Sequence, residues 1–194
     1  MIENADPKRV RRLHLGVAEK GKSHAVDGEH VLALTYYREA MRMAVHAKEP
    51  EIYFRHYLEC TLESLELMRS YGEVLEYCDR ALAHYEEHPP EHPLARRDLA
   101  SIHERRGAVL IKSGETAAAR EALRRAVDLA RQDGGTLPLA DKLLGWAARG
   151  LRVEAARVTS EQQRHGYFAV RPDTVDRGRA IALPDAMLGQ PARG

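Results

Sequence analysis

A helical hairpin can be read directly from residues 107–130, GAVLIKSGETAAAREALRRAVDLA, and no other stretch restricts the fold as strongly. Ile102, Val109, Leu110 and Ile111 give an apolar face to a first helix that contains Gly107. Ser113-Gly114 breaks that helix. Glu115 then opens a second one, in which Ala118, Ala119, Ala122, Leu123, Ala126, Val127 and Ala130 recur at steps of three and four, the period of a single helix face. Gly107 on one helix and Ala119 and Ala126 on the other let two backbones approach closely, with Leu123 filling the space between them. A lone hairpin leaves its apolar face in water, so neighbouring segments have to cover it.

The same five places recur along the chain. Asp6-Pro7 starts a helix to about Val26, with Asp6 as N-cap and proline at the first helical position, where its missing N–H costs nothing. Gly21 and Gly28 then stand where Gly107 and Gly114 stand, and Ala33, Tyr37 and Ala40 match Ala119, Leu123 and Ala126. A second, degenerate copy has Leu62, Arg69, Val74, Cys78 and Ala81 at these places, without either glycine. The prolines of His88-Pro89-Pro90-Glu91-His92-Pro93 terminate its second helix. In the last pair, Leu143, Gly150 and Ala155 keep the pattern, but Thr159 and Gln162 replace a bulky apolar residue and an alanine. That polarity predicts a terminal cap with a solvated outer face. The expected hairpins span about 7–48, 50–88, 93–133 and 136–165.

Gly107, Gly114, Ala119, Leu123 and Ala126, in this order, resemble the tetratricopeptide repeat. The resemblance covers about residues 8–164 and implies an all-α fold, a right-handed superhelix of about four antiparallel hairpins in one domain over 1–165. Equivalent places lie 41, 45 and 36 residues apart, against a familiar period of roughly 34. Helices longer by roughly one or two turns account for the difference, as in the long-helix repeats of bacterial adaptor and regulatory proteins. The remainder, 166–194, holds three prolines and four glycines. It is expected either to have no fixed structure or to lie along the domain as an irregular, extended tail.

The resemblance further implies that the first helices of the hairpins line a concave groove that binds a protein or peptide segment. In the phase set by the glycines, the lining includes Lys22, His56, Glu59, Glu63, Glu66, Glu104, Ala108, Ile111 and Leu144. Glu59, Glu63 and Glu66 share one helix face. That face is read either as simply solvated or as an acidic patch suited to a basic, arginine-bearing partner. The resembled family's carboxylate-gripping subset uses Lys, Asn and Arg, whereas Lys22 is accompanied here mostly by carboxylates. Capture of a C-terminal carboxylate is therefore not implied.

Composition narrows the alternatives. Thirty Lys plus Arg against 29 Asp plus Glu give a net charge of +1, without the overall basic footprint of a nucleic-acid binder. A local version remains as an alternative, a nucleic-acid-linked regulatory or effector module using Lys8, Arg9, Arg11 and Arg12 with Arg96, Arg97, Arg105 and Arg106. Another is a self-associating scaffold in which the tail, with Arg171, Arg177, Arg179 and Arg193, occupies the groove within one chain or across a homodimer. Neither a membrane-spanning run nor the apolar core of a signal peptide is present, so a cytoplasmic location and no membrane partner are expected. Cys60 and Cys78 read as reduced core residues. His84, His88 and His92 form the most suggestive metal constellation, but Pro89-Pro90 interrupts the helix and HExxH is absent. GxSxG, GxGxxG and GxxxxGK[ST] are also absent. The expectation is a binding protein without cofactor or metal, not an enzyme.

Overall fold

The computed structural model describes residues 7–188, with side chains from Arg11 onward, and is all-α. Among the described residues are α1 (Pro7–Val26), α2 (His30–His46), α3 (Glu51–Leu67), α4 (Tyr71–Glu87), α5 (Pro93–Ser113), α6 (Thr116–Gln132), α7 (Pro138–Ala148) and α8 (Ala155–Arg164), followed by three single 3-10 turns. Asp6 and Arg193 lie outside the described residues, and so do the side chains of Lys8 and Arg9. Proline begins α5 and α7 at positions where no helical N–H is lost. The His92 ring accepts from the Leu94 amide at 3.2 Å and caps α5.

Close approach of helices at glycine is visible in both regular hairpins. A Cβ on Gly107 would lie 2.7 Å from Leu123 Cδ2, and one on Gly21 would lie 2.8 Å from Tyr37 Cε1. Ala33, Tyr37, Ala40, Ala119, Leu123 and Ala126 are fully buried. The paired turn glycines adopt left-handed backbone, Gly28 at φ 81° and Gly114 at φ 89°, a conformation that costs glycine little. The degenerate copy keeps this conformation without the glycine, since Arg69 has φ 65°. A residue with a Cβ holds this backbone at a cost of about 1 kcal/mol.

Two compact units divide the chain. The first runs to Met68 and takes in the chain from Phe168 on; the second is Arg69–Tyr167. In the first, α2 packs on both α1 and α3, around Val17, Ala18, Tyr36, Ala40, Ala44 and Tyr57 together with Leu183. In the second, consecutive pairs from α4 to α8 pack, around a core of Ala108, Leu110, Ile111, Leu123, Val127, Leu139, Leu143, Trp146 and Val158, among others. This division differs from the one drawn from the sequence. The expected hairpin 50–88 contributes α3 to one unit and α4 to the other, and the tail belongs with the first unit. The physical reason is where each helix buries its side chains. Tyr57 and Cys60 of α3 are buried with residues of α2, while α4 reaches α5 through Tyr85–Asp98 at 2.7 Å and Asp79–Arg106 at 2.8 Å.

Arg157, Ser160, Gln163 and Arg164 of α8 are exposed, as a terminal cap requires, but positions 161 and 162 do not belong to that solvated face. Gln162 is completely buried, and Glu161 is buried with its carboxylate on Lys142 at 2.7 Å and Arg164 at 2.9 Å. Position 162 corresponds to Ala126, so the repeat register buries it regardless of its polarity. Substituting Gly107→Leu should overpack the α5–α6 contact and cost roughly 1–3 kcal/mol in chemical denaturation. Arg69→Gly should be neutral or stabilising by up to about 1 kcal/mol, whereas Arg69→Val should destabilise.

Several histidines are held neutral by burial. His14 is completely buried and its pKa is lowered, chiefly by desolvation. His103 is lowered to about 4, by burial first and then by Arg106 and Arg125, against an opposing effect of Glu121. At His103 an unfolded chain takes up its proton below the ordinary histidine pKa of 6.5, and the folded one only near pH 4. This contribution to stability is present above pH 6.5 and is lost as pH falls towards 4. The denaturation midpoint should decline across that window, and less steeply in His103→Leu.

Candidate binding groove

The first unit carries an extended segment laid against its helices. Beyond Gly166, whose φ is 65°, residues 168–188 run as extended backbone and single 3-10 turns. Glu63 of α3 holds one end. Its two carboxylate oxygens accept from the Ala169 amide at 2.6 Å and the Val170 amide at 3.0 Å. Val170 packs against the cluster of Ala33, Tyr37 and Cys60. Further along, the Asp176 amide donates to Glu19 of α1 at 3.2 Å, and Arg177 makes a two-toothed pair with Asp27 at 2.7 and 2.9 Å. The Ile181 amide donates to the Gly16 carbonyl at 2.9 Å, and the Leu183 amide to the Tyr36 hydroxyl at 3.3 Å. The segment therefore runs back along α1, from Asp27 towards Gly16.

Local sequence chemistry prepares this path. Gly16 lies inside α1, where glycine is unfavourable by roughly 1 kcal/mol relative to alanine. A Cβ there would lie 2.9 Å from the Arg179 carbonyl oxygen and would also collide with the Ile181 side chain. The glycine thus clears backbone space for the segment. Thr174 fixes the bend beyond Val170. Its hydroxyl donates to the Ala169 carbonyl at 2.8 Å and accepts from the Arg171 amide at 2.9 Å. Burial of Phe168 (4% exposed) and Leu183 (7%) supplies apolar free energy, about 1.5–3 kcal/mol for each side chain fully buried. The Arg177–Asp27 pair is exposed, and pairs of that kind contribute about 0–1 kcal/mol. It still lowers the Asp27 pKa, mainly through the hydrogen bond from Arg177.

The residues expected to line a groove separate into several roles. Glu63 and Glu66 are buried, at 2% and 1% exposure, so the reading of Glu59, Glu63 and Glu66 as one solvated face does not hold. Glu63 binds main-chain amides rather than tail arginines. Arg177 goes to Asp27, while Arg171 pairs with Asp173 and Arg179 with Asp176. Glu59 is half-buried. Lys22 pairs with Glu19 at 3.1 Å, and the His56 ring lies 3.9 Å from the Cys60 thiol with its pKa lowered by burial. Lys22 and His56 line a common cavity.

In the second unit, Ala108 and Ile111 are core residues and Leu144 packs at its margin. That corrects their expected exposure, because α5 is covered on several sides by α4, α6, α7 and α8. Glu104 accepts from the Ala140 amide at 3.0 Å in the first turn of α7. Its carboxyl pKa is raised by burial despite that bond. The charge favours the positive end of the helix and satisfies an N–H that has no partner within α7.

The other candidate sites take structural parts. The rings of His84 and His88 stack at 4.6 Å, His92 caps α5, and no metal-holding group of three or more His, Cys, Asp or Glu occurs among the described residues. Cys60 and Cys78 are buried free thiols. Much of the basic cluster is engaged internally, Arg11 with Glu49, Arg96 with Asp133 and Arg106 with Asp79. Arg105 is buried and donates to the Tyr167 hydroxyl at 3.0 Å. No helix of the described residues is long and apolar enough to cross a membrane.

Sequence reasoning missed Gly16, Glu19, Asp27 and Tyr36 as contacts of the segment. Gly16 was the available signal, as a mid-helix glycine outside the repeat register. Gly16→Val should raise hydrogen–deuterium exchange at Ile181 and Leu183 by tenfold or more, because the atoms nearest to an added Cβ belong to the segment, Ile181 and Arg179. Glu63→Ala should raise exchange at Ala169 and Val170 and cost about 1–3 kcal/mol. Compared with protein-family models, curated proteins and solved structures, the sequence matches none.

Proposed function

We propose that this chain is a protein–protein interaction adaptor or regulator of the tetratricopeptide-like kind, whose first unit binds an extended protein segment along α1 and α3. The observation that carries the reading is the Glu63 carboxylate accepting two consecutive main-chain amides from an extended strand. Main-chain recognition of this sort gives affinity, while side-chain sites give selectivity. The selective sites are the Tyr37–Cys60 cluster occupied by Val170, the core edge occupied by Leu183, and Asp27 paired with Arg177. A partner of matching chemistry carries a small aliphatic residue, an arginine and a leucine in that order along an extended backbone. The C-terminal segment is the resident occupant, and a partner competes with it.

The test uses a fluorescent peptide of residues 166–188. It should bind weakly to the intact chain and at least tenfold more tightly to a chain ending at residue 167, with Glu63→Gln reducing the gain. Because truncation uncovers apolar surface, full-length Gly16→Val serves as a second host. There the tail is dislodged while a peptide of residues 166–176, which stops short of position 16, is still captured at Glu63. Failure of both hosts to bind, with helical content intact, overturns the proposal. A concentration-dependent dimer in sedimentation, abolished by the truncation, would instead identify exchange of the tail between two copies.

A further inference from the structure

A second site, separate in its chemistry from the strand path, opens beside Arg12. Helix α1, the middle of α3 and the C-terminal segment enclose an open cavity of about 340 Å³, within the range of small-molecule sites. Leu15, Ala18, Tyr57 and Ile181 supply apolar walls. Leu15 is 37% exposed, so apolar surface remains in water for a ligand to cover. Arg12 and Arg179 belong to the same lining, and both side chains are exposed.

The charges sort cleanly. Lys22 is neutralised by Glu19, whose second carboxylate oxygen accepts the Asp176 amide. His56 is kept neutral near pH 7 by burial and by Lys22. Arg179 has only a loose contact with Asp176, at 3.7 Å, and Arg12 has no ion-pair partner among the described residues. The lining thus combines two arginine side chains with an apolar wall. Guanidinium groups match the planar, two-oxygen face of a carboxylate. The Arg179 and Ile181 amides at this wall already donate to the Asp176 and Gly16 carbonyls, so neither is free to cradle a phosphate.

We infer that this cavity binds a small amphipathic carboxylate, with the head group between Arg12 and Arg179 and an aliphatic or aromatic body against Leu15, Ala18, Tyr57 and Ile181. The ligand spans α1 and the C-terminal segment, so it binds more tightly when the segment is docked. By linkage it holds the segment in place. This inference goes beyond the peptide-binding reading and does not depend on it, because the segment acts here only as one wall.

The test is calorimetric titration of the full-length protein with octanoate, octan-1-ol and acetate, combined with hydrogen exchange at Ile181. Octanoate should bind saturably at one site and at least tenfold more tightly than either octan-1-ol, which lacks the charge, or acetate, which lacks the body. Saturating octanoate should slow exchange at Ile181 several-fold. The double variant Arg12→Gln/Arg179→Gln, confined to exposed side chains, should lose at least tenfold in octanoate affinity while its unfolding midpoint stays unchanged. Absence of saturable octanoate binding overturns the inference. Equal binding of octan-1-ol, equal binding of acetate, or wild-type affinity in the double variant also does so. Peptide capture is read at Glu63 and Gly16 and ligand binding at Arg12 and Arg179, so either can fail while the other stands.

Discussion

The contact between a helix glycine and a large side chain of the following helix is the constraint from which the rest follows. Gly21 under Tyr37 and Gly107 under Leu123 bring two backbones within reach of one another, and the alanines on either side keep that approach along the hairpin. Once the separation is set, every third or fourth residue has its burial decided. Gln162 illustrates the strength of this register, since it is buried at an alanine place although its amide is costly to remove from water.

The first unit has three helices rather than two complete hairpins, and α1 and α3 leave a surface that nothing local in sequence covers. The C-terminal segment covers it with few but directed contacts. Its main-chain hydrogen bonds contribute about 1 kcal/mol each, and the buried Phe168 and Leu183 side chains add apolar free energy. The exposed Arg177–Asp27 pair fixes register more than it adds stability.

Much of the fold was legible in the sequence because its determinants are local. Helix starts at Pro7, Pro93 and Pro138, the left-handed turns at Gly28, Gly114 and Gly150, and the buried faces of α2 and α6 all depend on residues within one hairpin. The candidate site was less legible. Helical periodicity puts Glu59, Glu63 and Glu66 on one face of α3, which is a statement about direction. It carried no information on what lies opposite, and Glu63 meets amides more than a hundred residues away. Ala108 and Ile111 failed as groove residues for the same reason, since several helices converge on α5.

The sequence by itself determined the all-helical character, the hairpin register and the places where two helices touch, because these follow from turn chemistry and helical period over about 25 residues. Tertiary structure alone decided which neighbour each hairpin packs against, that α3 and α4 belong to different units, and that residues 176–183 return to α1 and α2. Those outcomes rest on contacts distant in sequence, such as Leu183 on Tyr36 and Ile181 on Gly16. Such contacts leave no period in the sequence. Gly16 alone gave a local sign of them, as a helix position left without a Cβ so that another part of the chain can lie against it.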